Sequence, residues 1–150
     1  MDKSEETFEA LLSRRVAAFE SFRTERFPIL HQFFQSLGFE QPHEVLNTPE
    51  KFLAPLDNGL RHSVISEENR VWFITRLGYY VGEYLVVVYD GLWLVDKNPA
   101  SPTFAQHVVS DFSVDGVATD TVDPFSVAQR YADTPAARFL ADEIKKVAAL

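Results

Sequence analysis

The chain has 150 residues, a formal net charge of −8 and no cysteine. This length suits one domain with a sizeable core, so we predict a single globular domain over residues 1–150. The absence of cysteine excludes disulfides, zinc–thiolate sites and thiol nucleophiles, and no basic stripe is present for binding nucleic acid. The first ten residues are acidic and lack an apolar core, so they do not resemble a signal peptide and we expect a cytoplasmic protein.

Two helical patterns occupy the N-terminal part of the chain. Apolar residues recur at three- and four-residue spacing over residues 4–26, which predicts an amphipathic helix. Pro28 is expected to end or kink this helix. A second set of helical turns follows over residues 30–37, and Gly38 is expected to stop it.

Residues 39–66 have no clear periodicity, and we predict mostly irregular structure there. Thr48-Pro49 has the form of a helix cap followed by proline at the first helical position, which predicts a short helix over residues 51–55. Asp57-Asn58-Gly59 is expected to close that helix with a turn.

The most apolar part of the chain covers residues 66–96. Between residues 71 and 95 the ionisable non-aromatic side chains are Arg76, Glu83 and Asp90 alone, so this run must be buried on nearly every side. Arg76 and Glu83 also interrupt the run, which argues against a membrane span.

Two interpretations of this run compete. Its β-branched and aromatic content and the hairpin dipeptide Asp90-Gly91 favour strands. A helix is favoured by Ser66 at the N-cap position, by the two glutamates after it and by the absence of strict alternation. We predict a buried helix over residues 67–88 followed by a strand over residues 92–96, and a three-stranded meander is the alternative.

A helix would give this run two distinctive faces. Gly78 and Gly82 lie four residues apart, so they share one face and let a neighbour pack closely. Arg76, Tyr80 and Glu83 lie along another side at spacings of four and three. A buried Glu83 with a raised pKa could act as a general acid or base, but no histidine or second carboxylate lies near it in the sequence. We therefore predict a structural buried polar group, satisfied by Arg76 or Tyr80, and no catalytic residue.

The C-terminal half alternates loops with short elements. A strand over residues 106–112 is expected to pair antiparallel with the strand over residues 92–96. The cap-and-proline pairs Asp123-Pro124 and Thr134-Pro135 predict the starts of the last two helices. Together these elements predict a predominantly helical α+β domain with a small antiparallel sheet.

Six aspartates lie between Asp90 and Asp123 inclusive, and Lys97 is the single basic residue among them. Asp90 is assigned to a turn and Asp123 to a helix cap. The others are predicted to form an acidic partner-binding surface: Asp96, Asp111, Asp115 and Asp120. A basic protein would bind such a surface by steered, salt-dependent association. The alternative is a solvated acidic rim without a partner.

No metal or cofactor site is predicted. Asp111-x-Ser113-x-Asp115-Gly116 is similar to the first half of a calcium loop, but Val122 stands where the bidentate glutamate is needed. The four histidines are scattered without a metal-ligand spacing, and no glycine-rich phosphate loop is present.

Several short motifs mark the second half of the chain. They are Gly82-Glu83-Tyr84, Gly91-x-Trp93, Asn98-Pro99-x-Ser101, Phe104, Val108-Val109, Asp123-Pro124-Phe125, Tyr131 and Thr134-Pro135-x-x-Arg138. This pattern resembles a family of uncharacterised bacterial proteins with Gly-Glu-Tyr, Gly-Gly-x-Trp and Asp-Pro-Phe motifs. Asp90 replaces the first glycine before the tryptophan, and Ala136-Ala137 stand where the family tends to have prolines. The resemblance implies a helix ahead of the Gly-x-Trp turn and no known activity.

Three classes of function remain. The first, which we favour, is a non-enzymatic binding protein whose acidic region docks a basic partner, and an immunity- or antitoxin-like role would fit by analogy. The second is a small enzyme that uses Glu83. The third is a subunit of a homo-oligomer, in which the aromatic excess forms the interface.

Overall fold

A computed structural model describes residues 7–110, 113–114, 117–118 and 121–148. These residues form five α-helices and two two-stranded antiparallel sheets. In chain order the elements are α1 (Phe8–Ser36), α2 (Leu53–Leu60), α3 (Arg70–Tyr89), β1 (Leu92–Val95), β2 (His107–Ser110), β3 (Ser113–Val114), β4 (Val117–Ala118), α4 (Pro124–Asp133) and α5 (Leu140–Ala148). The predicted class, a predominantly helical α+β fold with a small antiparallel sheet, is confirmed.

α3 is the central helix, and it packs against α1, α4, α5 and the sheet of β1 and β2. Its buried residues extend from Phe73 to Leu85. A 3-10 turn at Glu67–Asn69 leads directly into it, so the predicted helix over residues 67–88 is confirmed and the alternative meander is wrong. Asp90 ends the helix in the left-handed conformation, with φ of 60°, and its N–H donates to the carbonyl of Leu85.

The segment Glu67–Tyr89 is the one described helix whose length and composition would allow it to cross a membrane. The rest of the fold buries 50% of its most apolar stretch. A core helix meets the same criterion as a membrane span.

α1 runs without interruption from Phe8 to Ser36, with Pro28 inside it. Of the two predicted effects of Pro28, ending the helix is therefore wrong. Pro28 is exposed, and so is Thr24, whose carbonyl loses its helical donor, so water can replace the lost bond. Phe22 before the proline and Leu30 after it are both buried, which holds one continuous helix against the core.

Gly38 ends α1 as predicted. Its φ of +89° lies in the left-handed region. The Gly38 N–H donates to the Gln35 carbonyl and the Phe39 N–H donates to the Phe34 carbonyl, both at 3.1 Å. This bond pair is a Schellman motif, and it is completed by contact between the Phe34 and Phe39 rings, whose centroids lie 4.9 Å apart.

Two of the three cap-and-proline pairs open helices as predicted. The Asp123 carboxylate caps α4 by accepting bonds from the Phe125 N–H at 2.9 Å and the Ser126 hydroxyl at 3.0 Å. Thr48-Pro49 opens a 3-10 helix, Pro49–Phe52, which continues into α2. Residues 39–66 are therefore more regular than predicted.

The third pair, Thr134-Pro135, does not open a helix, and that prediction is wrong. Thr134 ends α4, and its N–H and hydroxyl both donate to the Arg130 carbonyl, at 3.0 and 2.7 Å. Arg138 holds the following residues in an irregular path, because its guanidinium donates to the carbonyls of Thr134 at 3.2 Å and Ser63 at 2.8 Å. α5 begins later, at Leu140.

α5 is capped by a residue from a distant part of the chain. The Asp57 carboxylate accepts bonds from the N–H groups of Leu140 at 2.5 Å and Ala141 at 3.1 Å. Burial raises the pKa of Asp57, and these two bonds oppose the shift. The predicted turn at Asp57-Asn58-Gly59 is wrong, because all three residues lie within α2. A tertiary contact, which no local pattern reveals, gives the buried Asp57 its role.

Replacing Asp57 by alanine is expected to lower the free energy of unfolding by about 2 kcal/mol, because two N–H groups at the start of α5 lose their acceptor. Asn58→Ala, an exposed change on the same helix, is expected to alter it by less than about 0.5 kcal/mol. Urea unfolding measures both changes. Amide hydrogen exchange at Leu140 and Ala141 should also accelerate in the Asp57 variant alone. Unchanged exchange at these amides would contradict the capping role.

β1 and β2 pair antiparallel as predicted, with Leu92 opposite Ser110 and Val95 opposite His107. Trp93 lies opposite Val109, and both side chains belong to the core. β3 and β4 form a second, shorter antiparallel pair. The first sheet thus places Trp93 against α3, next to the candidate site.

Candidate functional site

Glu83 lies in a closed polar cluster between α3, α1 and β1. It is 3% exposed, and its Oε1 lies 3.0 Å from Nε1 of Trp93, which donates a hydrogen bond, and 3.1 Å from Nη1 of Arg26. The prediction of a buried Glu83 that is engaged by a donor is confirmed. Both donors come from other elements, so the cluster joins three parts of the fold.

The predicted donors, Arg76 and Tyr80, do not bond to Glu83, and that assignment is wrong. Arg76 is half-buried, donates to the Trp72 carbonyl at 3.1 Å and lies over the Trp72 ring at 4.5 Å. Tyr80 is fully buried, and its hydroxyl donates to the Pro49 carbonyl at 2.8 Å. Spacing along one helix cannot show that donors on α1 and β1 are better placed.

Two glycines allow aromatic rings to rest directly on α3. A Cβ added at Gly82 would lie 1.8 Å from the Trp93 ring, and one added at Gly78 would lie 2.2 Å from the Phe125 ring. The predicted close approach along this face is confirmed, and aromatic side chains make it. Gly82 thereby positions the Trp93 indole, whose N–H reaches Glu83.

The environment of Glu83 is suited to structure more than to proton transfer. Burial raises its pKa, while the Arg26 charge and the Trp93 hydrogen bond partly oppose that shift. A carboxyl group that is 3% exposed has almost no surface to offer a substrate. The geometry therefore favours the structural role over the general acid–base role.

An open groove lies next to this cluster, with a volume of about 370 Å³. Residues from four parts of the fold line it: Arg15 and Phe22 of α1, Thr75 and Tyr79 of α3, Gln106 and His107 at the start of β2, and Asp123 and Phe125 at the start of α4. Phe22 connects the groove to the cluster, because its ring packs edge-on against Trp93 at 4.8 Å. The groove combines apolar walls with several polar groups, as small-molecule sites do.

A backbone carbonyl selects one tautomer of neutral His107 within the groove. Its Nε2 lies 3.3 Å from the carbonyl oxygen of Arg15. A carbonyl can only accept, so Nε2 carries the proton and Nδ1 is the acceptor of the neutral ring. Burial lowers the pKa of His107, the bond to the Arg15 carbonyl opposes the shift, and the Arg15 charge adds to it. The ring packs against Phe22, with centroids 4.4 Å apart.

No local sequence pattern marks the residues that line the groove as one site. Arg15 lies within the amphipathic helix predicted over residues 4–26 and belongs to no motif, and His107 is one of four scattered histidines. Tyr79 is almost fully buried, and burial raises its pKa. These residues come from α1, α3 and β2, so only the packing of the three elements brings them together.

Of the four aspartates predicted to form an acidic surface, the structure describes Asp96 alone. Asp96 is 9% exposed, and its carboxylate accepts bonds from the Asn98 N–H at 3.0 Å and the Thr103 hydroxyl at 2.6 Å. Burial raises its pKa, but hydrogen bonds from Ser101, Thr103 and Asn98 outweigh it and the net shift is downward. Asp96 thus organises the loop after β1. Asp111, Asp115 and Asp120 lie outside the described residues.

The calcium-loop pattern also falls mainly on residues outside the described ranges. Within those ranges, no group of three or more histidine, aspartate or glutamate side chains is placed to hold a metal ion.

Comparison with protein-family models, with curated proteins and with solved structures found no match to this chain. The resemblance to uncharacterised bacterial proteins therefore stays a prediction.

Proposed function

We propose that this chain is a cytoplasmic bacterial binding protein without catalytic activity, and that its partner is a basic protein that docks on the acidic segment between Asp90 and Asp123. Bacterial origin is part of the proposal through the motif resemblance. An immunity- or antitoxin-like inhibitor of a basic enzyme would have this character.

One observation carries the proposal: hydrogen bonds join residues 109–110 to residues 121–122, on either side of the segment that contains three of the aspartates. Val109 and Val122 exchange two backbone hydrogen bonds, at 2.9 and 2.8 Å. The hydroxyl oxygens of Ser110 and Thr121 lie 3.0 Å apart. In the sequence, Asp111 follows Ser110, Asp120 precedes Thr121, and Asp115 falls between β3 and β4. Three aspartates thus belong to one ten-residue segment, 111–120, whose flanking residues are hydrogen-bonded to each other.

Some acidic side chains of this region have a structural role, which leaves the three aspartates of residues 111–120 without an assigned one. From residue 77 to residue 123 the chain has seven acidic side chains and Lys97. Glu83, Asp96 and Asp123 accept hydrogen bonds within the fold, and Asp90 is exposed. Concentrated like charges repel one another and lower stability. The same charges would attract a basic partner and speed its association.

Two alternatives are less well supported. An enzyme that uses Glu83 would need substrate access to a carboxylate that two donors hold in the interior. A homo-oligomer would need an apolar interface, and exposed Val64, Val71 and Trp72 provide some apolar surface on α3 and just before it. Self-association is therefore measured as an outcome of the test.

The test replaces Asp111, Asp115 and Asp120 together by asparagine. The matched control replaces three exposed acids elsewhere, Glu40, Glu67 and Glu68, by glutamine, with the same change in net charge. Wild-type protein is expected to capture a basic protein from the host at low salt and to lose it at high salt. The captured protein, once purified, should bind the control variant and bind the asparagine variant at least about tenfold more weakly.

Three results would contradict the proposal. They are a captured partner that is not basic, equal binding to both variants, and self-association of the chain that persists at high salt with no basic protein captured.

A further inference from the structure

We propose that the groove between α1, α3, β2 and the start of α4 binds a small monocarboxylate with a flat apolar body, and that the Arg15 guanidinium holds its carboxylate. The groove includes Gln106, His107 and Asp123 of the acidic segment, but none of the three aspartates that the test of the proposed function replaces. The two proposals therefore stand or fall independently.

Arg15 is the exception among the arginines that the structure describes. Carboxylate partners lie within salt-bridge distance of four arginines: Arg23, Arg26, Arg70 and Arg130. Aromatic rings or carbonyls contact three more: Arg61, Arg76 and Arg138. Arg14 also has a partner. Arg15 is half-buried, no ion pair, hydrogen bond or ring contact joins its guanidinium to another described residue, and its Nε is buried without a hydrogen-bond acceptor there.

An unpaired, partly desolvated guanidinium is a costly arrangement in a protein that has acidic side chains in excess. The fork of N–H donors on arginine matches the two oxygens of a carboxylate, and paired bonds of this kind are among the strongest in proteins. A ligand carboxylate in the groove would supply the missing partner of Arg15.

The walls of the groove define the rest of the ligand. Phe22, Tyr79 and Phe125 line it, with the Phe22 and Tyr79 ring centroids 4.9 Å apart and the Tyr79 and Phe125 centroids 5.7 Å apart. Flat aromatic or planar aliphatic groups pack well against such surfaces. A volume of about 370 Å³ is near the lower end for ligand pockets, which indicates a small molecule.

The charges around the groove favour a single negative charge on the ligand. Asp123 also lines the groove, and its carboxylate is engaged in capping α4. Its negative charge would repel a dianion. His107 donates its Nε2 proton to the Arg15 carbonyl, so its ring offers an acceptor and no second fork of donors. A groove lined by one guanidinium and one carboxylate that is already engaged suits a monocarboxylate better than a phosphate.

The experiment titrates the full chain with benzoate and with 3-phenylpropanoate, followed by NMR. The uncharged controls are benzamide and 3-phenylpropanamide, which keep the shape of each probe. We expect saturable shifts at His107 and Tyr79 with at least one carboxylate, and at least about tenfold weaker binding of its amide. Arg15→Gln should weaken carboxylate binding at least about tenfold, which corresponds to about 1.4 kcal/mol. Arg23→Gln, the same change on the same helix, should alter binding less than about twofold.

A second variant tests the walls without changing charge. Thr75 lines the groove, so Thr75→Leu should narrow it and weaken binding of the longer probe most. This variant also keeps the proposal testable if Arg15→Gln fails to fold, as judged by circular dichroism. The proposal is overturned if neither carboxylate produces saturable shifts, if the amides bind equally well, or if both the Arg15 and Thr75 variants that fold bind like the wild type.

Discussion

Replacing Glu83 by alanine is expected to lower the free energy of unfolding by roughly 2–4 kcal/mol. The change strands the buried Trp93 N–H, removes the partner of Arg26 and leaves a cavity beside the indole ring. Glu83→Gln is expected to cost less than about 1 kcal/mol, because its amide carbonyl still accepts from Trp93 and burial penalises the charge that glutamine lacks. Urea unfolding near neutral pH measures both variants. Equal losses would show that the charge of Glu83, more than its acceptor oxygen, stabilises the cluster.

The pKa of Glu83 sets the sign of a pH dependence. Burial raises this pKa above its ordinary value of 4.5, so the folded state holds the proton more tightly than the unfolded chain does. The stability of the wild type relative to Glu83→Gln should therefore be greatest below pH 4.5 and should fall as the pH rises through the folded-state pKa. Unfolding of both proteins across this range checks the direction. A difference that grows in favour of the wild type with rising pH would contradict it.

Gly82→Ala is expected to destabilise the fold by about 3 kcal/mol or more, at the upper end for overpacking. The added Cβ would lie 1.8 Å from the Trp93 ring, so the indole would have to leave its place on α3 and its bond to Glu83. The matched control is Gly59→Ala, at an exposed site within α2 where a Cβ would meet no atom within 4 Å.

In that control, alanine should raise the free energy of unfolding by about 0.5–1 kcal/mol, because it loses less backbone entropy on folding than glycine. Thermal and urea unfolding of the two variants give the comparison. Similar small changes in both would mean that the Trp93 ring moves aside at little cost, contrary to our expectation.

Elements that local interactions determine could be predicted from the sequence. The predicted helix over residues 67–88 forms because its apolar run is continuous and too long for one strand. The Ser66 side chain, predicted as its N-cap, makes no capping hydrogen bond. Asp123 opens α4 because its carboxylate reaches N–H groups within three residues. Gly38 ends α1 because left-handed backbone favours glycine.

Features that depend on distant contacts could not be predicted in the same way. Asp57 has the local sequence of a turn, but it caps α5 from 83 residues away. Glu83 has candidate donors on its own helix, but Arg26 and Trp93 reach it from α1 and β1. Pro28 lies within α1 because buried side chains on both sides of it hold the helix to the core.

The candidate groove could not be predicted from the sequence for the same reason. Sequence patterns identify sites whose residues follow one another at fixed spacing, such as metal or phosphate loops. Arg15, Tyr79 and His107 lie far apart in the chain, and none belongs to such a motif. What joins them is that they line one groove, where the Arg15 guanidinium lies among aromatic rings and pairs with no other described residue.

The two tryptophans of the chain have contrasting surroundings. Trp93 is 5% exposed and bonds to a carboxylate, whereas Trp72 is 44% exposed with the Arg76 guanidinium over its ring. The protein therefore contains two optical reporters, one for its interior and one for its surface. Iodide in solution can reach the exposed indole and quench its emission, while the enclosed indole is shielded. Trp72→Phe would leave Trp93 as the single tryptophan, and its emission would respond to the state of the Glu83 cluster.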